Sequence, residues 1–111
     1  MDFGTYQRMA AGHAVYPGQG GPMGVVYTSL GLVGEAGEIA NKAKKILRDD
    51  AGNLTAERKQ DLAAELGDVL WYAAQLATEL RVSLDEVALS NLDKLRARAA
   101  KGTLRGSGDN R

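Results

Sequence analysis

The sequence contains no cysteine, only two prolines, few aromatic residues and no excess charge of either sign. Without cysteine there can be no disulfide bonds, thiolate zinc sites or cysteine nucleophiles. Fourteen basic residues balance fourteen acidic ones, so no global field attracts nucleic acid or an anionic membrane. No apolar run approaches the roughly 18 residues of a membrane span, and the N-terminus lacks a signal-peptide core. We therefore expect a cytoplasmic protein without nucleic-acid or membrane partners.

What remains is a chain of 111 residues, the size of one ordinary domain, rich in alanine and leucine. Strand-like alternation of polar and apolar residues is absent, so the sequence predicts an all-α fold. The four predicted helices cover about residues 2–14, 23–48, 55–81 and 83–100. Thr55 is a suitable N-cap for the third helix, and Ser83 with Glu86 forms a capping box that starts the fourth.

Two pairs of acidic residues have helical spacing. Glu35 and Glu38 lie three apart in the second predicted helix, and Glu65 and Asp68 repeat this spacing in the third. Without a function, the first pair would simply lie on a solvent-exposed helix face. Glu38 and Lys42 would then form an i,i+4 ion pair that stabilises the helix by about 0.3–0.5 kcal/mol. The second pair favours a functional interpretation, because two such helices can bring four carboxylates together.

The apolar pattern makes Glu65 and Asn91 unusual, because both project into apolar helix faces at 100° per residue. A core charge is rarely tolerated unless it is paired or bound to a cation. The apolar arc around Glu65 comprises Leu62, Leu66, Val69, Leu70, Ala73, Leu76, Ala77 and Leu80. The arc around Asn91 comprises Leu84, Val87, Ala88, Leu92 and Leu95. On the second helix, Glu35 lies at the margin of a stripe formed by Leu32, Ala36, Ile39, Ala43 and Ile46.

Four carboxylates at one point cannot all stay ionised without a cation. Oxygen donors without histidine or cysteine indicate Mg²⁺, or Mn²⁺ in its place. A helical di-iron site would need two Glu-x-x-His motifs. The chain has one histidine, His13, outside such a motif, so the sequence argues against iron.

Several further residues are candidates for substrate binding. Lys42 and Lys45 share the side of the second helix that carries the glutamates, where they either neutralise them or hold phosphate oxygens. Asn91 is either a core amide or, with Lys94 and Arg98, a contact for phosphate or sugar. Tyr72 extends the line of Glu65 and Asp68 and could border the site, whereas the other aromatic residues are interpreted as packing. The residue pattern alone does not decide between the structural and the functional interpretation of these residues.

The C-terminal segment, residues 102–111, is rich in glycine and polar residues, which is typical of a disordered terminus. It also contains Gly106, Ser107 and Gly108, whose backbone amides and hydroxyl can bind phosphate. Arg105 and Arg111 add cationic donors. A hypothesis distinct from disorder is therefore a lid that bound phosphate groups order over a site.

Longer stretches of the chain resemble a known family. The segments concerned are "YTSLGLVGEAGEIANKAKKILRDD" (27–50), "AELGDVLWYAAQLA" (64–77), "NLDKL" (91–95) and "GSGDNR" (106–111). Together they resemble the MazG-like nucleoside triphosphate pyrophosphohydrolases of the all-α NTP pyrophosphatase superfamily. The resemblance implies a helical domain over residues 1–101, completed by assembly into a homodimer or homotetramer.

The resemblance also implies an activity, the hydrolysis of a nucleoside or deoxynucleoside triphosphate to the monophosphate and pyrophosphate. Glu35, Glu38, Glu65 and Asp68 would be the Mg²⁺ ligands and the catalytic residues, with metal-activated water attacking the α-phosphorus. Substrate contacts would come from Lys42, Lys45, Tyr72, Asn91, Lys94, Arg98, Ser107 and Arg111. The glycines beside Glu35 would let neighbouring helices approach closely enough to share metal ions.

Two alternatives compete with this function. One is a non-catalytic helical interaction module whose acidic face only sets oligomer geometry, although an unpaired core charge at Glu65 would give a scaffold no benefit. The other is phosphoribosyl-ATP pyrophosphohydrolase, a related helical enzyme. The tail and the "LGLVGEAGE" segment (30–38) favour the MazG-like group.

Overall fold

The computed structural model describes residues 1–102, and this part of the chain contains four α-helices and no strand. The helices are α1 (Phe3–Ala11), α2 (Pro22–Asp49), α3 (Ala56–Glu79) and α4 (Leu84–Ala100). The predicted all-α class with four helices is therefore confirmed. None of the described helices is both long and apolar enough to cross a membrane.

The helix starts follow local capping rules. The Thr55 hydroxyl accepts the Arg58 amide N–H at 3.1 Å, and the Ser83 hydroxyl accepts that of Glu86 at 3.4 Å, which confirms both predicted caps. Asp2 caps α1 in the same way. This first helix ends at Ala11, earlier than predicted, because the chain closes into a turn at Gly12.

Helices α2 and α3 pair side by side, and α1 and α4 pack on the α3 side of this pair. A short turn joins the pair, with the Arg58 Nε atom 2.7 Å from Asp50 Oδ2. Gln7 of α1 ties the opposite end together, since its side chain donates to the Val82 carbonyl at 3.0 Å and accepts the Leu84 amide at 2.8 Å. The turn between α3 and α4 is therefore held by α1.

Small and polar residues occupy part of the α2–α3 interface. A Cβ atom at Gly31 would overlap the Tyr72 ring, and one at Gly24 would overlap the Glu79 carboxylate. Thr28 and Gln75 are fully buried. Glycine at positions 24 and 31 leaves room for α3 side chains against the α2 backbone. Of the glycines beside Glu35, Gly31 makes such a contact, whereas Gly34 and Gly37 have open space where a Cβ would be. That the glycines allow metal ions to be shared stays a prediction.

The buried apolar core is correspondingly small, and it lies between α1, α3 and α4. It consists of Ala10, Ala74, Ala77 and Leu84, with Tyr6 and Trp71 packed against it. The arc predicted as core on α3 is exposed in part, with Leu66 at 60% and Leu80 at 53%. These two leucines are therefore only partly covered by the described residues.

The prediction for α4 needs a similar correction. Asn91 is exposed rather than packed among leucines, and Leu92 and Val87 are exposed at 48% and 46%. The Cα radius of gyration is 16.7 Å, against about 13 Å for a compact domain of this length. A single chain therefore leaves much of its apolar side-chain surface uncovered.

Candidate metal centre

Three carboxylates meet across the α2–α3 interface. Glu35 of α2 and Glu65 and Asp68 of α3 each place one carboxylate oxygen within 4.8 Å of the others. The spacing of Glu65 and Asp68 puts both on one helix face. The Tyr72 ring packs against Gly31 one turn away, and Glu35 lies opposite Glu65 and Asp68. We call these three residues the acidic cluster.

The electrostatics of the acidic cluster are unfavourable in the absence of a cation. The pKa of Glu35 is raised above its ordinary value, first by partial burial and then by the charge of Asp68. A hydrogen bond with Glu65 and the charges of Glu65 and Glu38 act in the same direction. Each of these causes disfavours the ionised carboxylate. The cluster is therefore a place where negative charge gathers without full compensation.

One lysine provides partial compensation. The Lys42 Nζ atom lies 3.0 Å from Glu65 Oε1, and the Glu65 side chain is 16% exposed. This hydrogen bond is the main reason why the pKa of Lys42 is raised. Glu65 is thus paired and not an isolated core charge. Three ionised carboxylates and one ammonium group leave two negative charges, which a divalent cation would neutralise.

The donor set fits Mg²⁺ or Mn²⁺. All three donors are hard carboxylate oxygens on two rigid helices, and they converge without histidine or cysteine, which is the chemistry that these ions prefer. Glu38, the fourth predicted ligand, is exposed and outside this group of oxygens, although its charge acts on both Glu35 and Lys42. Three of the four predicted carboxylates are therefore together.

An aromatic cavity adjoins the acidic cluster through Tyr72. It has a volume of about 230 Å³ and is lined by His13, Val15, Tyr16, Pro17, Tyr27, Trp71 and Tyr72. The pKa of Tyr72 is raised by burial first, then by Tyr27, and also by the charges of Glu35 and Asp68. The cavity and the acidic cluster are thus neighbours that share Tyr72 as a wall.

The rings of this cavity form a connected set. Tyr16 stacks on Tyr27 with ring centroids 5.1 Å apart and packs edge-on against Trp71 at 6.3 Å. Trp71 in turn packs edge-on against Tyr72 at 5.0 Å. The sequence pattern did not reveal this cavity, because its four rings come from three separate segments. The chain has only six aromatic residues, and these four rings are among them. Such scarcity was the one feature of the sequence that could have drawn attention to them.

The remaining predicted contacts lie elsewhere or beyond the described residues. Asn91 and Lys94 line a groove of about 480 Å³ with Val82, Glu86, Val87 and Ser90, and this groove includes no member of the acidic cluster. Lys45 is half-buried on α2, where its charge contributes to the lowered pKa of Asp49. The main cause of that lowered pKa is the hydrogen bond from Arg48 to Asp49. Arg98 is half-buried on α4.

Ser107 and Arg111, the two predicted tail contacts, lie outside the residues that the structure describes. The same is true of the other tail residues in the lid hypothesis, which are Arg105, Gly106 and Gly108. Their assignment as substrate contacts stays a prediction.

Comparison with known proteins gives consistent matches. Residues 27–103 match the MazG nucleotide pyrophosphohydrolase domain, a range that includes α3, α4 and the whole acidic cluster. The Gene 37 protein of Mycobacterium phage L5 is 54% identical over the full length of both chains. The uncharacterized protein YvdC of Bacillus subtilis (strain 168) is 40% identical over 72 residues, which are 60% of this chain and 68% of YvdC. No solved structure gives a significant match.

Proposed function

Because this chain belongs to the MazG nucleotide pyrophosphohydrolase domain family, we propose that it hydrolyses nucleoside or deoxynucleoside triphosphates to the monophosphate and pyrophosphate. The observation that carries the proposal is the convergence of Glu35, Glu65 and Asp68 within 4.8 Å. A cluster with one paired lysine and three carboxylates is suited to binding a divalent cation together with a phosphate chain.

The acidic cluster would hold Mg²⁺, or Mn²⁺ in its place, with Glu38 as an additional ligand. When bound, the ion neutralises phosphate charge and polarises the phosphoryl oxygens. A water oxygen attacks the α-phosphorus, and the bond from that phosphorus to the bridging oxygen of the β-phosphate breaks. A carboxylate oxygen of the cluster accepts the proton of the water, and pyrophosphate leaves with the bonding electrons.

Neighbouring residues would position the substrate. Lys42 pairs with Glu65, and its ammonium group would therefore lie beside the bound metal. When substrate enters, the ammonium group would turn from the Glu65 carboxylate to a phosphate oxygen. The aromatic cavity offers stacking surfaces for the base, and Tyr72 would lie between base and phosphates. Lys45, Asn91, Lys94, Arg98, Ser107 and Arg111 stay candidates for further phosphate and sugar contacts, and residues 102–111 for a lid.

We also propose that the working enzyme is a homodimer or homotetramer. The exposed leucines of α3 and α4 and the open shape of the single chain support this part of the proposal. A second copy packed on these helices would cover apolar surface and could bring the groove with Asn91 and Lys94 toward a substrate. Light scattering at micromolar concentration should give at least twice the mass of one chain, and a fully active monomer would contradict this.

The decisive experiment for the activity is a substrate panel. Purified protein is incubated with ribonucleotide, deoxyribonucleotide and modified triphosphates in Mg²⁺, and monophosphate and pyrophosphate are quantified by chromatography. We expect equimolar release of both products from at least one triphosphate, and none in excess chelator. Release of orthophosphate instead of pyrophosphate, or full activity in chelator, would contradict the proposed reaction.

A further inference from the structure

A loop of residues 12–21, which we call the glycine loop, connects α1 to α2 and supplies one side of the aromatic cavity. Gly18 and Gly20 have φ angles of +76° and +84°, which side chains rarely adopt. A segment with so many glycines gains little rigidity from its own backbone. Its conformation therefore depends on what holds it from outside.

Two side chains of α3 hold the glycine loop. Gln75 donates from Nε2 to the Tyr16 hydroxyl at 3.2 Å, and both residues are buried. One turn further along, Glu79 accepts the Gly20 amide N–H with both carboxylate oxygens, at 2.7 and 3.1 Å. A charge-assisted bond of this kind is stronger than a neutral one. Glu79 is thus the charged anchor of the loop.

Space for this anchor comes from α2. Gly24 is buried, and a Cβ atom there would overlap the Glu79 carboxylate and lie 2.8 Å from the Gly18 carbonyl oxygen. The Gly24 amide also donates to the Gly21 carbonyl at 2.9 Å. The start of α2, the glycine loop and the end of α3 therefore meet at Glu79.

We propose that Glu79 is a positioning residue for the nucleobase: by holding Gly20 it keeps Tyr16 in place as a wall of the aromatic cavity. This inference rests on the proposed function, since it assumes that the cavity receives the base. Glu79 would act through Tyr16 and would not touch the substrate. The raised pKa of the Tyr16 hydroxyl, caused by burial first and to a smaller degree by the charge of Glu79, fits their proximity.

Three substitutions separate the reach of this side chain from its charge. Glu79→Gln keeps the reach and one oxygen acceptor but removes the charge, whereas Glu79→Asp keeps the charge and is one methylene shorter. Glu79→Ala removes both. Because the bond depends on both reach and charge, Gln should lose part of the effect, whereas Asp, which is too short to reach Gly20, should resemble Ala. Glu57→Ala, at an exposed position in the first turn of α3, is the matched control.

The kinetic test compares binding of the nucleoside end of the substrate with binding of its phosphate end. For Glu79→Asp and Glu79→Ala we expect KM for the triphosphate to rise about tenfold, the size of one lost charge-assisted hydrogen bond, with little change in kcat. Inhibition by nucleoside monophosphate should weaken equally, while inhibition by inorganic pyrophosphate stays unchanged because the acidic cluster is intact. An equal loss for both inhibitors, or wild-type KM in the Asp variant, would overturn the proposal.

A substrate-free measurement keeps this inference distinct from the proposed function. Trp71 is the only tryptophan and contacts Tyr16, so acrylamide quenching of its fluorescence reports whether the glycine loop stays in place. Quenching should increase most in the Asp and Ala variants and less in Gln, even if the protein hydrolyses no nucleotide. Unchanged quenching in the Asp variant would show that Glu79 does not hold the loop. Should Glu79→Ala fail to fold, the Gln and Asp variants still decide.

Discussion

Two carboxylate sites lie on the same α2–α3 interface, and their surroundings are opposite. At one end, Glu79 accepts a backbone N–H and has space provided by Gly24. At the other end, Glu35 faces Glu65 and Asp68 and carries a raised pKa. Both sites occupy the same pair of helices, and their difference lies in the partners. An acid bonded to the backbone holds structure together, whereas acids that face one another favour binding of a proton or a cation.

Gly31 and Tyr72 lie between these two sites, and they explain how one interface serves both. The missing side chain at Gly31 lets the Tyr72 ring fill the gap between the helices. The ring thereby separates the acidic cluster from the buried pair Thr28 and Gln75.

The largest effect that would test this contrast is on catalysis. Glu65→Gln keeps the shape of the side chain but removes a ligand charge from the acidic cluster. We expect kcat/KM in Mg²⁺ to fall by more than about 100-fold, because loss of a residue that only orients a metal ligand already costs up to about 100-fold. Helical content by circular dichroism should be unchanged. Glu57→Gln, on the exposed first turn of α3, is the control and should retain full activity.

The result that would contradict the assignment is undiminished hydrolysis by Glu65→Gln. Its stability is a second readout, because Glu65 is paired with Lys42 at 3.0 Å. If Glu65 were a lone charge in an apolar helix face, its replacement by glutamine would raise stability without metal. The ion pair removes that expectation, since the substitution would leave the half-buried Lys42 without its carboxylate.

A smaller effect concerns the spacing of the helices. In Gly31→Ala the new methyl group meets the Tyr72 ring, and such overpacking costs about 1–3 kcal/mol, more than the helix propensity of about 1 kcal/mol that alanine adds. Gly34→Ala, three residues further along the same helix, has open space for the methyl group and should gain stability instead. Urea unfolding at two protein concentrations measures both.

Equal stabilisation by the two alanines would show that the Tyr72 contact does not set the helix spacing. A loss of stability in Gly34→Ala that shrinks as protein is diluted would have a different meaning. It would place a second copy of the chain against Gly34, which the single chain leaves open.

The sequence predicted the parts of the molecule that local rules determine. Thr55 and Ser83 cap their helices as expected, because a cap depends on four consecutive residues. The carboxylates of Glu65 and Asp68 had to share a face for the same reason. Glu35 joined them only through the pairing of α2 with α3, which periodicity alone did not fix.

The misplaced parts depend on which helix face meets which neighbour. Helical arithmetic assigned Asn91 and Leu66 to a core because their faces are apolar, yet both are exposed in the single chain. The arithmetic assumes that an apolar face is covered by the same chain. Here the closest helix contact uses glycine, threonine and glutamine, so apolar periodicity was a poor guide to it.

The smallest predicted effect, and the most specific to the contrast between the two sites, is on stability without metal. In chelator, Glu35→Gln should raise the free energy of unfolding at neutral pH, because it removes a charge that partial burial, Asp68 and Glu65 all disfavour. The folded-state pKa of Glu35 lies above its ordinary value of 4.5. Its ionisation therefore costs stability as pH rises through the interval between these two values.

The gain from Glu35→Gln should accordingly be present above the raised pKa and vanish as pH falls below the ordinary one, which urea unfolding from about pH 4 to about pH 8 would show. Mg²⁺ should reverse the order, because the wild type then gains binding free energy that the variant has lost. Glu38→Gln is the matched comparison, three residues along the same helix and exposed. In chelator it should change little. If Mg²⁺ nevertheless stabilises it less than wild type, Glu38 belongs to the metal ligands, and if not, the three converging carboxylates act alone.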